Sequence, residues 1–196
     1  MNDAIPDCFC WTRFGTESGE VIGQIFERKE AERAANGGVF IWGIGNSIGP
    51  SIRELVQRTP KPEVLFSPIK SLPKPQDVAP SAVAVWTSSE TLNGEIYHLP
   101  EHSSVTSRYD PLVPAAHYAL VCSSPIPIAP VQSAGKVALA ALTNLRTGRP
   151  IGASQVTAVV SFRPLDSERG YVYDVSVRAE LVWPYFIKLC RPVIQK

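Results

Sequence analysis

Proline recurs along this chain from Pro6 to Pro192, 18 times in 196 residues, and this is the strongest constraint on what it can fold into. A proline removes a backbone donor and fixes φ, so it stops helices and sits in turns or at strand edges. The chain is thereby cut into short pieces, which disfavours a long helical bundle. Apolar residues make up 44% and charged residues 19%, as in a soluble globular protein. The length suits one domain, residues 1–196, with room for a sizeable core.

Between the prolines, hydrophobic periodicity marks out a series of elements. CFCWTRF reads as a strand. ESGEVIGQIFERKEAERAANGG reads as a helix, with Val21, Ile22, Ile25 and Phe26 as an apolar stripe and Glu27 to Arg33 as a charged face. Asn36, Gly37 and Gly38 form its stop. VFIWGIG is a second strand; PSIRELVQR is a second helix, with Pro50 in its first turn and Thr59-Pro60 after its end. Further strands are expected at EVLFSPI, AVAVWTS, SSVTSR, HYALVC, SQVTAVVSF and YVYDVSVRAELV, and a helix or helical turn at KVALAALTNLRTG. The order β-α-β-α-β, then mostly β, abandons the alternation of a doubly wound sheet. It predicts an α+β fold: a curved or closed β-sheet with two early helices, near residues 20–35 and 50–58, packed outside it.

Net charge is +1 and the pI is near 7.7, so the chain lacks the basic excess of a protein that neutralises many phosphates. Any nucleic-acid contact would fall to a pocket or a local patch. No apolar run reaches the ~18 residues of a membrane span, and MNDAIPDCFCW lacks the basic start and apolar core of a signal peptide. A cytoplasmic protein that does not enter a membrane is expected. Cys8, Cys10, Cys122 and Cys190 lack zinc-site spacing and are expected as reduced thiols. Cys8 and Cys10 are expected on opposite faces of their strand, joined by neither a disulfide nor a metal.

The stretch GGVFIWGIGNSIGPSIREL carries a tryptophan from an apolar strand into a glycine-rich turn before a helix. Such a turn can hold phosphate at a helix N-terminus. However, Gly43, Gly45 and Gly49 are spaced GxGxxxG, and EVLFSPI ends without an acidic residue to hold a ribose. A nicotinamide or ATP site is therefore not expected, and a tight turn is the alternative. Trp42, next to Asn46 and Ser47, suits a planar heterocycle: the ring stacks and the amide and hydroxyl read an edge. A place in the core is the competing reading for Trp42, as for Trp11 and Trp86. His98 and His102 read as solvated loop residues, and His117 as a structural histidine first and a pocket residue second. Ser103, Ser104 and Ser107 sit in no nucleophile elbow, and no catalytic or metal-binding motif is found.

Taken in order, CFCWTRFGTESGE, VFIWGIGNS, SIRELVQ, VLFSPIKS, AVAVWTSSE, HYALVC, ALTNLRTGRPIG and SQVT resemble the PUA-like superfamily, in particular its YTH and EVE branches. The resemblance spans residues 8–157 by order of features. It implies a PUA-like β-barrel whose pocket takes a methylated base between aromatic walls. By position Trp42 matches the first cage tryptophan, and Thr12, Arg13 and Thr16 the polar residues after the first strand. The second wall falls to Tyr97, Tyr109 or Trp86, and Ser107 and Arg108 reach the ligand from the loop SSVTSRYDPLVPAAHY. The expected function is binding of a nucleotide or a modified base in DNA or RNA, without a cofactor. Trp42 stacks, Thr12, Asn46, Ser47 and Ser107 hydrogen-bond, Arg13 or Arg108 meets phosphate, and Thr16 and His117 complete the pocket. Two alternatives are an enzyme on a nucleotide or nucleic-acid substrate, with His117 or Glu17 as acid/base, and a partner-binding module without a ligand.

Overall fold

The computed structural model describes residues 5–15, 22–69, 82–107, 118–123, 135–165 and 170–194. In chain order its elements are β1 (Cys8–Phe14), α1 (Ile22–Ala35), β2 (Val39–Ile44), α2 (Gly49–Arg58), β3 (Glu63–Pro68), β4 (Ala82–Thr91), β5 (Ile96–His98), β6 (Ser104–Ser107) and β7 (Tyr118–Ser123). They continue with β8 (Lys136–Ala138), a 3₁₀ turn (Leu139–Ala141), β9 (Leu142–Asn144), β10 (Thr157–Phe162), β11 (Val172–Asp174) and β12 (Val177–Ile194). Both early helices lie where the apolar stripes place them. α1 ends as its glycines dictate: Gly37 and Gly38 take φ of 66° and 99°, and Gly38 N–H donates to Arg33 O at 2.8 Å.

Ten strands form one mixed sheet, ordered β2-β7-β12-β3-β1-β10-β9, with β4 joined to β12, β5 and β6. Among the described residues only β1 and β3 pair in parallel. β8 and β11 form a separate antiparallel pair. The sheet does not close, which corrects the expected PUA-like barrel. Among the described residues its two ends, β2 and β9, are not paired with one another. The reason lies in β12. Around Glu180 this strand runs between β7 and β3. Its register with β7 then breaks between Leu181 and Phe186, across a cis Trp183–Pro184 bond and Tyr185 at a φ of 65°. From Ile187 on it keeps β7 on one side but takes β4 on the other. One strand edge thus serves two partners in succession, and the sheet forks.

The sheet is nonetheless strongly curled. Four steps of about 4.8 Å would separate β2 from β1 by roughly 19 Å in a flat sheet. The rings of Trp42 on β2 and Phe14 on β1 lie 6.1 Å apart, centroid to centroid. Alternation along the strands sorts the core onto its two faces. On β1, Phe9 and Trp11 join Leu65 and Tyr173 on one face. Cys10 and Phe14 join Phe40, Phe66 and Leu120 on the other, beneath Phe26 of α1 and Ile52 and Leu55 of α2. A third cluster, with Trp86, Val121 and Ile187, fills the fork.

Four local expectations are corrected. Cys8 and Cys10 share a face, because positions two apart in a strand point the same way, and both pack in the helix-side cluster. KVALAALTN is strand, 3₁₀ turn and strand: Val137 and Leu142 are anchored in the cluster around Trp11, and β9 gains β10 as a partner. YVYDVSVRAELV is divided between β11 and β12, and β12 continues through Pro184 to Ile194. His98 lies in β5 rather than in a loop.

The cysteines are free thiols; Cys10 and Cys122 are buried and Cys190 is exposed. Burial pushes both buried thiols above their ordinary value of 9.0, and Cys10 adds to the effect on Cys122. Their native pKa is raised, so this stability is fully present below the unfolded pKa and is lost as pH climbs past it. In the native protein at pH 8, a thiol reagent should modify Cys190 and leave Cys10 and Cys122 unreacted until denaturant is added. Urea midpoints should fall between pH 8 and pH 10, and fall less in Cys10→Ala/Cys122→Ala.

Candidate functional site

A cavity of about 690 Å³ opens on the helix-covered face of the sheet. Four parts of the chain bring its polar groups together. β1 supplies Thr12 and Arg13 at its C-terminal end; β2 and the turn after it supply Trp42, Asn46 and Ser47; α1 supplies Arg28 and Lys29. The segment before β10 adds Ser154 and Gln155, and the start of β10 adds Thr157. The size lies within the range of small-molecule sites.

Trp42 is half-buried and has two roles. Its ring meets Phe66 edge-on at 4.7 Å and Phe14 at 6.1 Å, which ties it to the core cluster. The remaining surface lines the cavity. The strand alternation that buries Phe40 and Ile44 also turns Trp42 to this side. Trp11 and Trp86, by contrast, are core residues. The Trp11 indole N–H donates to Ser67 Oγ at 3.0 Å.

The third glycine of the turn has a packing role. A Cβ on Gly49 would come within 2.7 Å of Leu92 Cδ2 and 3.4 Å of the Phe186 ring, so a larger residue at the start of α2 would have to displace the Leu92 side chain. Gly43 and Gly45 line the cavity. Ile48 caps α2 without a side-chain hydrogen bond.

Thr12 shares a 2.9 Å hydrogen bond with the Thr157 hydroxyl, which fastens β1 to β10 at the cavity wall. Arg13 Nη1 donates to Ala153 O, and its guanidinium lies 5.0 Å from the centre of the Tyr173 ring. Arg13 Nε is buried without a hydrogen-bond partner. On α1, the ammonium of Lys29 meets Glu32 Oε2 at 2.7 Å and also donates to Ser104 O. Glu32 Oε1 accepts the Ile41 N–H at 2.8 Å, and Ser104 Oγ donates to Oε2 at 3.3 Å. Arg28 Nη1 donates to Ser104 Oγ at 3.1 Å. Among the described lining residues there are three cations and no carboxylate, since Glu32 is turned into the protein.

Of the residues singled out in the sequence, Thr12, Arg13, Trp42, Asn46 and Ser47 are gathered around this one cavity. Ser107 lies in β6 opposite Ala82, while the described contribution of β6 to the lining is Val105. Thr16, Arg108, His117, Glu17 and Tyr109 lie outside the described residues. Two of the three candidates for a second aromatic wall do not border the cavity, and the third, Tyr109, lies outside the described residues. Trp86 is buried in the fork, and Tyr97 is in ring contact with Trp183 at 5.4 Å. Aliphatic side chains such as Ile25, Ile48, Ile69 and Val105 line the cavity instead. Arg28 and Lys29 were not anticipated, because in the sequence they belong to a run of charges typical of a solvated helix face. The i,i+3 spacing of Lys29 and Glu32 was the available signal.

Comparison of the chain with protein-family models, with curated proteins and with solved structures finds no match.

Removing one member of a buried ion pair strands the other, at a cost of about 3–5 kcal/mol. Glu32→Ala should therefore lower the unfolding free energy by about that amount, as measured in urea. Lys29→Met/Glu32→Gln should lose much less, because no charge remains and Gln can still accept the Ile41 N–H. Trp42→Ala should cost about 2–3 kcal/mol, below the ~3–5 kcal/mol of a fully enclosed aromatic, because part of its surface already faces the cavity.

Proposed function

We propose that this protein is a binding module for a nucleotide or a modified base, carried free or in a nucleic-acid strand, with the cavity beside Trp42 as its site. One observation carries the reading: a half-buried tryptophan, fixed by two aromatic neighbours, lines a cavity that also holds hydroxyl, amide and cationic groups. A planar ring stacks on the indole, and Asn46, Ser47 and Thr12 hydrogen-bond its edge. An amide presents both a donor and an acceptor, which suits the mixed edge of a base. The aliphatic wall of Ile25, Ile48, Ile69 and Val105 suits an uncharged, methylated ring. The proposal agrees with the resemblance to YTH and EVE domains in the place given to Trp42.

Calorimetric titration with a panel of natural and methylated nucleosides and nucleotides tests the reading. The wild type should bind at least one member saturably and release it chemically unchanged. Trp42→Ala should weaken that binding by about 1–3 kcal/mol, the contribution of a base stacked on an aromatic ring. Turnover of the ligand would favour an enzyme. The absence of binding across the panel would leave the partner-binding module.

A further inference from the structure

A second cavity, of about 370 Å³, lies beside α2 and shares none of its described lining with the first. α2 supplies Arg53 and Val56 to it, the turn after β4 supplies Leu92, and β12 supplies Trp183 and Tyr185. The β12 wall is made by the register break. Between Leu181 and Phe186 the strand advances five positions while β7 advances two, from Cys122 to Leu120, so β12 carries excess chain there. The excess is pinned by Pro184, which is buried, and by Phe186, whose ring stacks on Tyr118 at 5.5 Å. Tyr185 takes a φ of 65°, a conformation that costs a non-glycine residue and persists only where the surroundings impose it. Trp183 is turned outward: it is 62% exposed, with the Tyr97 ring edge-on to it at 5.4 Å. An indole held in this way, with most of its surface in water, is a ready stacking surface.

α2 joins this cavity to the first. Ile48, just before the helix, lines the cavity of Trp42, and Arg53 and Gln57 line the second. At 1.5 Å per residue the two linings are about 8–14 Å apart along the helix. That is about two to four nucleotide steps at the ~3.4 Å spacing of a stacked strand. Leu92, in the second lining, packs against Gly49 at the start of the helix. The described lining of the second cavity carries one cation, Arg53, and one carboxylate, Glu95. This balance suits the uncharged face of a base better than a bare phosphate. We propose that Trp183 is a second stacking platform, for a further base of the strand whose recognised base lies against Trp42. This deepens the function proposed above and rests on it. The ligand class narrows to a single-stranded nucleic acid, of which a free nucleotide occupies only the first cavity. A net charge of +1 accords with affinity drawn from stacking rather than from phosphate neutralisation.

The experiment titrates the wild type with a nucleoside that it binds, the 5′-monophosphate, and single-stranded oligonucleotides containing that nucleoside, of increasing length up to about eight nucleotides, at low and high salt. Affinity should rise by between about fivefold and a hundredfold once the oligonucleotide reaches from one indole to the other, as expected for one base stacked on an aromatic ring. Further length should add little. Most of the rise should persist at high salt, because stacking releases no counterions. Trp183→Ala should bring the longer oligonucleotides within about twofold of the monophosphate, and Trp183→Phe should keep part of the rise. Thermal unfolding checks both variants, and the Phe variant keeps the test valid should the Ala variant unfold. Equal binding of the monophosphate and every oligonucleotide by the wild type overturns the second platform and leaves the base site standing. A rise that survives in Trp183→Ala, or that high salt abolishes in the wild type, also overturns the platform. Failure of every base-containing ligand overturns the base site, and the platform with it.

Discussion

Glu32 is the point at which the first helix is fastened to the sheet. Its two oxygens receive the ammonium of Lys29, the hydroxyl of Ser104 on β6 and the backbone N–H of Ile41 on β2. A carboxylate this deep is tolerable only when its acceptor capacity is filled, and here three donors from three elements fill it. Apolar packing of Ile25 and Phe26 holds α1 on the sheet but does not fix where along the sheet it sits. The ion pair does. Without that register Arg28 and Lys29 would not border the cavity, and the indole of Trp42 would face a different wall.

Much of the local structure is legible from the sequence. The six residues Val39–Ile44, the glycine pair after α1 and the proline inside α2 each announce their element through local chemistry. The Trp42 turn is legible too, since a large aromatic followed by small and polar residues is a local pattern. Features decided by distant partners are less legible. KVALAALTN has helical composition, but its residues are claimed by the Trp11 cluster and by β10. Pro184 looks like a strand end, yet β12 carries on because the same neighbour, β7, receives it on both sides of the break. The closed barrel failed for the same reason, since nothing local announces that one strand will exchange β3 for β4.

Legibility of the site follows the same division. Thr12, Arg13, Trp42, Asn46 and Ser47 lie at strand ends and in a turn, where polar residues stand out against apolar runs. The cations of α1 do not stand out, since Arg28-Lys29 sits among glutamates and arginines. Their place depends on Ser104, 75 residues beyond Lys29 and 76 beyond Arg28. The absence of Trp86 and Tyr97 from the described lining has a related cause. Trp86 and Tyr97 belong to the β4–β5 branch, and the fork carries that branch to a different cluster.

The shared edge of β12 also bears on how the protein is made. Synthesis runs from the N-terminus, so β3, β4 and β7 leave the ribosome before the strand that lies between them. Val177 follows Pro68, the last residue of β3, by more than a hundred residues, which at about 5–20 residues per second is a delay of roughly 5–20 s. For that time the edge of β3 lacks the neighbour that will cover it, joined later and for shorter waits by those of β4 and β7, and unpaired edges invite pairing with other chains. The sheet can be completed only when β12 emerges to join all three.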